Sequence, residues 1–395
     1  MDKYTVEYYD LLSRALGGSE SARLQGFLDE TLALKYNGLQ LDGFSFEPDM
    51  QLDFTYEQLQ KELGINVMAQ YYDIDSPATP FGTEGLPLST GKIPRMKTVE
   101  YINEDKYRKM LIDEQRFGAG SDAVANAAKL HLFNTVDTLV GGHTNSLTYQ
   151  RHQIVSKGKF VLNDTNNPYG VKGLTFAAHV PAGNFTVLAG EKRWWKSYDS
   201  STDTYSSEGS QCDPIADLQL MVKVAKKKGV RGHFEVNDDY MDTILSHSKI
   251  QKAIGISLFP LADPTTVAGN VALLGREQKM TALEAIIGAP FKAIDSLVSV
   301  EKWNPTTKKL ERPQFNAFES NVIVFVPDGS LGVVKTVEPI IMGNPITASF
   351  YGGRLRLIVT ADASKKCQAF ETEMTSLVIP DKPQYMWYLT PYAGS

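Results

Sequence analysis

Residues 65–157 constrain the fold most, because this long stretch carries few signs of a core of its own. Apolar and polar residues alternate around residues 67–71 and 98–102, and Ser76–Pro94 between them is rich in proline and glycine. This pattern predicts a two-stranded β-ribbon over residues 65–118. An isolated two-stranded ribbon is at best marginally stable in water. We therefore expect the ribbon, with its highly charged returning strand, to lie across other copies of the same chain.

Ser121–Lys157 follows with the pattern of one long helix, of about ten turns. Ser121 is a good N-cap, and Asp122 complements the helix dipole in the first turn. The apolar residues form one narrow stripe: Val124, Ala128, Leu132, Val136, Leu139 or Val140, Leu147 and Ile154. A helix with one apolar stripe is expected to lie along the surface of a sheet. Gly141-Gly142 predicts a kink, a bend or a split into two helices.

The rest of the chain mixes helices with strands. Pro214 opens a helix that Lys226-Lys227-Lys228 and Gly229 end, and we assign these lysines to capping and dipole effects. Residues 232–236 predict a strand, and Asn237 caps a further helix. Pro327-Asp328-Gly329-Ser330 predicts either a hairpin or a strand–turn–strand unit. Strand-like runs close the chain over residues 346–389, so the fold class is α+β.

Composition excludes several classes of protein. The 395 residues carry a net charge of −6, which argues against a surface that coats nucleic acid. Cys212 and Cys367 are the only cysteines, and we interpret them as buried free thiols. The first 18 residues lack the apolar core of a signal peptide, and no stretch of 18 apolar residues occurs. We therefore expect a protein made in a reducing cytoplasm, with no membrane partner.

No motif for catalysis or for nucleotide or metal binding is present. The histidines stand too far apart in sequence for a local zinc pair, although a distant constellation stays possible: His131, His143, His152, His179, His233 and His247. Ser299-Val300-Glu301-Lys302 matches a serine-nucleophile motif only by chance, because it falls inside a predicted strand. Trp194-Trp195 is interpreted as packing or a subunit contact. We therefore expect no catalytic, cofactor-binding or metal-binding residues and no cofactor.

Several segments, in this order, resemble one family. IPRMKTVEYI is similar to a returning loop strand, SDAVANAAKLHLFNTVDTLV to a long spine helix, and GKFVLNDTNNPYGV to the turn after it. Residues 213–250 are similar to the start of an axial domain, residues 298–335 to a strand, an exposed hairpin and a second strand, and residues 368–391 to closing strands. This order resembles the major capsid proteins of tailed bacteriophages, and within them the lambda-type major capsid protein E family.

The resemblance implies a Hong Kong 97-like fold with five parts. They are an N-terminal arm (1–64), an extended β-ribbon loop (65–118), a spine helix with peripheral domain (119–213), an axial domain (214–345) and closing strands of the peripheral and axial sheet (346–395). It also implies a non-catalytic virion protein that assembles in the host bacterial cytoplasm. The implied partners are other copies of the chain in hexamers and pentamers, a portal, a scaffold, a decoration protein, and enclosed double-stranded DNA bound without sequence specificity.

Two other hypotheses stay open at this point. One is a cellular nanocompartment shell on the same fold; the other is an enzyme or carbohydrate-binding protein with a dispersed site. A chain that occupies both pentamers and hexamers needs flexible joints, for which Gly118–Gly120, Gly141-Gly142 and Gly352-Gly353 are the candidates. Some members of the wider fold crosslink subunits through a lysine and an asparagine, but no motif identifies such a pair here.

Overall fold

The computed structural model describes residues 41–59, 88–102, 104–117, 122–199, 204–260, 269–341, 347–351, 353–362 and 367–392. The strands are β1 Phe44–Phe46, β2 Thr55–Leu59, β3 Leu88–Lys92, β4 Arg95–Ile102, β5 Lys159–Val161, β6 Thr175–Ala177, β7 Phe185–Val187, β8 Ser197–Asp199, β9 Thr204–Ser206, β10 Gly232–Asn237, β11 Phe291–Ile294, β12 Leu297–Ser299, β13 Lys302–Asn304, β14 Lys309–Glu311, β15 Gln314–Asn316, β16 Ile323–Pro327, β17 Gly332–Thr336, β18 Thr347–Tyr351, β19 Leu355–Asp362, β20 Cys367–Pro380 and β21 Trp387–Thr390. The helices are α1 Glu104–Phe117, α2 Asp122–Lys157, α3 Pro214–Lys227, α4 Asp238–Ser246, α5 Ser248–Leu258 and α6 Arg276–Ile287.

The described residues fall into two compact units. The first is drawn from Met1–Tyr56, Gly91–Thr148 and Val333–Val378, and the second from Glu57–Thr90, Tyr149–Gly332 and Ile379–Ser395. Both units mix helices with strands, so the α+β class predicted from the sequence is confirmed.

A six-stranded sheet builds the first unit. Its order is β1-β17-β20-β19-β18, with β4 also paired to β20. β4 and β19 both pair antiparallel with β20, so that Thr98 and Leu357 both face Thr372. Because side chains alternate along a strand, one face of these strands carries buried apolar residues such as Phe370, and the other carries the charged residues.

A five-stranded sheet builds the second unit, in the order β11-β10-β16-β21-β7. β10 runs parallel to β11 and antiparallel to β16, and β21 runs parallel to β7. Helices α3 to α6 supply most of the apolar core on one face, where the rings of Phe234 and Phe291 stack at 4.8 Å. The caps predicted for two of these helices are present: Asn237 accepts from the backbone of α4, and Gly229 has a φ of +73° after α3.

The long helix predicted over Ser121–Lys157 is confirmed as α2, 36 residues and about 54 Å long. It runs through Gly141-Gly142, so a split into two helices at this point is wrong. The single narrow stripe is wrong for its C-terminal end, because every residue from Gln150 to Ser156 is buried. That end lies inside the second unit rather than along a surface.

The ribbon predicted over residues 65–118 needs correction. Glu104–Phe117 is a helix, favoured by acidic residues in its first turn and the basic Arg116 in its last. β4 is a strand as predicted, but it pairs with β20 of the same chain over eight residues. The charged side chains of β4 therefore also have partners within the same chain. Residues 60–87 lie outside the described residues, as do the arm residues 1–40.

Two further predictions are decided by the sheets. The segment around Pro327-Asp328-Gly329-Ser330 is a strand–turn–strand unit and not a hairpin, because β16 and β17 belong to different sheets. The predicted strand that contains residues 299–302 is divided, with Ser299 at the end of β12 and Lys302 at the start of β13. None of the helices in the described ranges combines the length and the apolar character that crossing a bilayer requires.

Candidate functional site

The hairpin over residues 297–316 projects from the second unit and consists of two short β-ladders. β12 pairs with β15 at its base, and β13 pairs with β14 nearer the tip. At the tip, Asn304 Oδ1 accepts hydrogen bonds from the backbone N–H groups of Thr306 and Thr307 at 2.8 and 3.2 Å. Glu311 Oε1 accepts from Asn304 Nδ2 at 2.6 Å and from Thr307 Oγ1 at 3.0 Å. These four bonds give the tip a defined shape.

Large apolar side chains are exposed on this hairpin and on the loop beside it. Trp303 and Leu310 face each other across β13 and β14 and are 48% and 60% exposed. Tyr169 and Val171 in the neighbouring loop are 68% and 69% exposed. The Tyr169 hydroxyl accepts the Trp303 N–H at 2.5 Å, so the two segments are joined. We call Tyr169, Val171, Trp303 and Leu310 the hairpin patch. Exposed apolar patches on ordered elements mark interaction surfaces.

The loop that carries Tyr169 is held by side-chain amides. Asn166 Nδ2 donates to the Val161 carbonyl at 2.7 Å and to the Tyr149 hydroxyl at 2.8 Å. Asn163 Oδ1 accepts from two backbone N–H groups further along the loop. Tyr149 in turn packs edge-on against Phe160 and Phe315. These contacts therefore fix the shape of the hairpin patch before any partner binds.

Charged residues surround the hairpin patch. Arg312 donates to Glu301 at 2.6 and 2.9 Å, and Lys172 forms an ion pair with Asp164. Between Glu301 and Arg312 the chain has four basic and two acidic residues, a net charge of +2, on a protein whose total is −6. Lys308 and Lys309 at the tip are both exposed. The hairpin is thus a basic projection of an acidic chain.

A polar cavity of about 310 Å³ opens at the start of α4 in the same unit. Its walls are Tyr205, Asn237, Asp239, Tyr240, Thr243, Asn316, Phe318, Glu319 and Ser320. Asp239 and Glu319 supply two carboxylates, and Lys157 contacts Glu319 at 2.6 Å. Tyr240 is 3% exposed, and its hydroxyl has no hydrogen-bond partner among the described residues. Burial raises the pKa of this phenol well above its usual value. We call this space the acidic cavity.

Glu208, Cys212 and His247 come within metal-binding distance of one another, with their candidate ligand atoms inside 4.8 Å. The contacts do not fit a metal ion. His247 Nδ1 accepts the Lys249 N–H at 3.2 Å, so Nε2 carries the proton and faces the Trp194 carbonyl at 3.3 Å. Cys212 Sγ lies 4.0 Å from Nε2, whereas Glu208 Oε1 lies 3.7 Å from Nδ1. The nearest contacts of the two other donors are therefore with opposite ring nitrogens, and all three groups already have partners within the chain.

The same residues have a structural role. Glu208 accepts from the N–H and hydroxyl of Ser248 at 3.0 and 2.7 Å, at the start of α5. His247 caps that helix, and burial lowers its pKa. Trp194 and Trp195 pack against the His247 ring at 6.1 and 5.4 Å. Both tryptophans are buried, so the packing role predicted from the sequence is confirmed.

A buried charge network occupies the other face of the five-stranded sheet. Arg151 on α2 donates two hydrogen bonds to Glu235 on β10, at 2.7 and 2.5 Å. His233 lies 3.6 Å from Glu235 and 3.2 Å from Asp328. Burial raises the pKa of Glu235, but the Arg151 charge and hydrogen bonds from His233 and Arg151 outweigh it and bring the pKa to about 2. This network fixes α2 to the sheet and contains no open nucleophile.

The first unit presents a cleft of about 440 Å³ on the charged face of its sheet. Arg95 on β4 contacts Glu373 on β20 at 3.3 Å, and Lys97 contacts Glu371 and Glu373 at 3.0 and 3.1 Å. Arg356 on β19 donates to the same Glu373 at 2.6 Å. Leu52, Phe54 and Ile340 are exposed at its rim. The charges inside are matched within the chain, and the apolar rim is left for a partner.

Sequence reasoning missed most of this geometry. The hairpin was identified, but not its contact with Tyr169, which is 134 residues away from Trp303. The sequence leaves a distant constellation open for the histidines, but nothing in it connects His247 with Glu208 or Cys212. Ser299 and Lys302 lie on separate strands, β12 and β13. Burial alternates along β4, as it does in a strand of a larger sheet, but this alternation is visible only in the structure.

Comparisons with known proteins give structural similarity only. No protein-family model matches the chain, and no curated protein matches its sequence. A phage-related protein from Bordetella bronchiseptica RB50 is 12% identical, with 97% of this chain and 96% of that chain covered and a TM-score of 0.44. The satellite phage P4 procapsid, which includes the size determination protein, gives 11% identity, coverage of 99% and 93%, and a TM-score of 0.44. The cyanophage A-1(L) capsid gives 13%, coverage of 91% and 92%, and a TM-score of 0.43.

Proposed function

We propose that this protein is the major capsid protein of a tailed bacteriophage, with a Hong Kong 97-like fold of the lambda type. Copies of the chain assemble into pentamers and hexamers, and these form the icosahedral head that encloses the double-stranded DNA genome. Its role is structural and non-catalytic. Assembly takes place in the cytoplasm of the host bacterium, and the finished protein resides in the virion.

The exposure of several large apolar side chains in both units carries this proposal. In the second unit the hairpin patch is exposed, and Leu273 is 86% exposed. In the first unit Val99 and Tyr101 on β4, and Leu52 at the cleft rim, are also exposed. Monomeric proteins rarely leave several ordered apolar surfaces uncovered. A chain that contacts several neighbours at once needs several such surfaces.

The order of the elements agrees with the resemblance in the sequence. A strand of the loop segment is followed by the long helix α2, a domain of four helices around a mixed sheet, an exposed hairpin and the closing strands β18 to β21. The division into arm, loop, peripheral domain, axial domain and closing strands, with boundaries at 64, 118, 213 and 345, remains a prediction. Portal, scaffold and decoration proteins are the further partners we propose.

In this proposal the shell encloses DNA without binding it tightly. A net charge of −6 gives little general attraction to phosphate, so filling and emptying the shell meet little resistance. We expect no sequence-specific DNA binding and no cofactor.

Electron microscopy and sedimentation velocity of the purified full-length protein test the proposal. We expect uniform shells, tubes or rings of five or six subunits, and sedimentation coefficients that rise with protein concentration. Treatment with nuclease should leave these particles intact, because protein contacts hold them together. A chain that stays monomeric at high concentration, both alone and when produced in its native phage infection, would contradict the proposal.

A further inference from the structure

We infer that the tip of the hairpin on one copy binds in the acidic cavity of the next copy. This inference rests on the proposed function and names the contact that closes the rings. The donor is the basic tip around Lys308 and Lys309, and the receptor is the cavity at the start of α4. The two surfaces differ, so the contact is head-to-tail, and contacts of this kind close into rings.

The donor surface is shaped for insertion. The tip is fixed by the hydrogen bonds of Asn304 and Glu311, and Lys308 has a φ of +51° within the turn. A fixed tip loses little conformational entropy on binding. Trp303 lies beside it, and exposed tryptophans on rigid elements are frequent centres of protein interfaces. The Tyr169 hydroxyl holds the Trp303 backbone in place.

The receptor surface offers what a lysine side chain needs. Asp239 supplies a carboxylate for a charge-assisted hydrogen bond to an ammonium group, and Glu319, which already contacts Lys157 at 2.6 Å, supplies a second acceptor. Tyr205 supplies an aromatic ring in the same wall, and an ammonium group close to such a ring is further stabilised. Within the described part of the chain the buried Tyr240 hydroxyl has no partner, although buried polar groups are nearly always hydrogen-bonded. A ligand with a polar head, entering this cavity, would complete the set.

Charge favours a second copy of the chain over nucleic acid as the occupant. The hairpin segment carries +2 within a chain of −6, so opposite charges meet when copies associate head-to-tail. A phosphate backbone would be repelled by Asp239 and Glu319. Nucleic acid would also leave the apolar residues Leu310 and Val171 uncovered. The partner of this hairpin is therefore expected to be protein.

Charge reversal tests the contact. The donor variant carries Lys308→Glu and Lys309→Glu, the receptor variant carries Asp239→Lys, and a third variant combines them. We expect each of the first two to lower the yield of rings or shells about tenfold or more, and the combination to recover most of the yield. Glu277→Lys is the matched control, because it also reverses an acidic residue in the first turn of a helix, α6, outside the cavity. Circular dichroism checks that each variant is folded.

The outcomes separate this inference from the proposed function. If the wild-type chain assembles and the combined variant does not recover, or the separate variants assemble normally, the contact is wrong and the capsid role stands. If the wild-type chain stays monomeric both alone and when produced in its native phage infection, both fail. If the donor variant assembles normally but loses retention of a fluorescent DNA duplex, the hairpin is a nucleic-acid surface, and the inference is overturned.

Discussion

Arg151 and Glu235 form a buried, two-pronged ion pair, with Nη1–Oε2 at 2.7 Å and Nη2–Oε1 at 2.5 Å. The side chains are only 2% and 0% exposed. The pair connects the C-terminal end of the long helix α2 to the interior strand β10 of the five-stranded sheet. Removing one member leaves the other as an uncompensated buried charge, which is far more costly than losing an exposed pair.

Arg151→Met is therefore expected to destabilise the second unit by about 3–5 kcal/mol. Urea unfolding followed by tryptophan fluorescence measures this, because all four tryptophans belong to that unit. Arg312→Met is the matched control, since it breaks an exposed pair with Glu301 in the same unit. An exposed pair of this kind contributes far less to stability. Equal losses in the two variants would show that the buried pair has no special role.

The loss of the Arg151–Glu235 pair at low pH is a second prediction. The pKa of Glu235 is about 2 in the folded chain against an ordinary value of 4.5. Its contribution is therefore present above about pH 4.5 and is lost as the pH falls towards 2. The difference in unfolding free energy between the wild type and Glu235→Gln should shrink over that interval. A difference that stays constant from pH 5 to pH 2.5 would contradict the assignment.

His233 predicts the opposite pH dependence. The hydrogen bond from its ring to Glu235, and a second one to Asp328, raise its pKa above 6.5 despite partial burial. Its stabilising contribution is complete below pH 6.5 and is lost as the pH rises through the folded-state pKa. The stability advantage of the wild type over His233→Gln should therefore decline between pH 6 and pH 8.5. The charged groups that face this ring are Glu235, Asp328 and, through Glu235, Arg151.

His152 makes the second unit sensitive to mild acid. Burial, with the neighbouring charge of Arg151, lowers its pKa from 6.5 to about 3. As the pH falls below 6.5, the His152 ring takes up a proton in the unfolded chain but not in the folded chain. The free energy of unfolding therefore decreases. Between pH 7 and pH 5 the free energy of unfolding falls by about 2 kcal/mol for this reason. His152→Asn keeps an acceptor near Arg151 Nη1, which contacts the ring nitrogen Nδ1 at 3.0 Å, and removes the titration. Fluorescence-detected unfolding should show a correspondingly flatter pH profile.

Local sequence patterns predict much of the fold correctly. The caps at Asn237 and Gly229, the length of α2 and the order of the closing strands all follow from spacing and residue type. Contacts between distant segments could not be read in the same way. The sequence predicts that the strand carrying Lys97 contacts another copy of the chain. Nothing in a single sequence connects Lys97 with Glu371, which is 274 residues away.

The same limit explains the error at Gly141-Gly142. Glycine in a helix costs about 1 kcal/mol and so suggests a break. The structure supplies another reason for one of the two. A Cβ at position 142 would lie 3.0 Å from the Thr98 methyl group, so this glycine lets β4 approach the helix closely. Thr98 also donates from its hydroxyl to the Leu139 carbonyl at 3.1 Å. Close packing, rather than a break in the helix, accounts for Gly142.

The two neighbouring glycines therefore predict different effects of the same substitution. A Cβ at position 141 would meet nothing within 4 Å, so Gly141→Ala should stabilise the first unit by about 0.5–1 kcal/mol. Gly142→Ala should gain less or destabilise, because the Thr98 methyl group must move. Hydrogen exchange of the amides of α2, followed by mass spectrometry, measures both. Gly142→Ala combined with Thr98→Ser removes the obstructing methyl group and should recover the gain seen at position 141. If both alanines stabilise equally without that second change, the close approach of β4 to the helix is not what requires glycine.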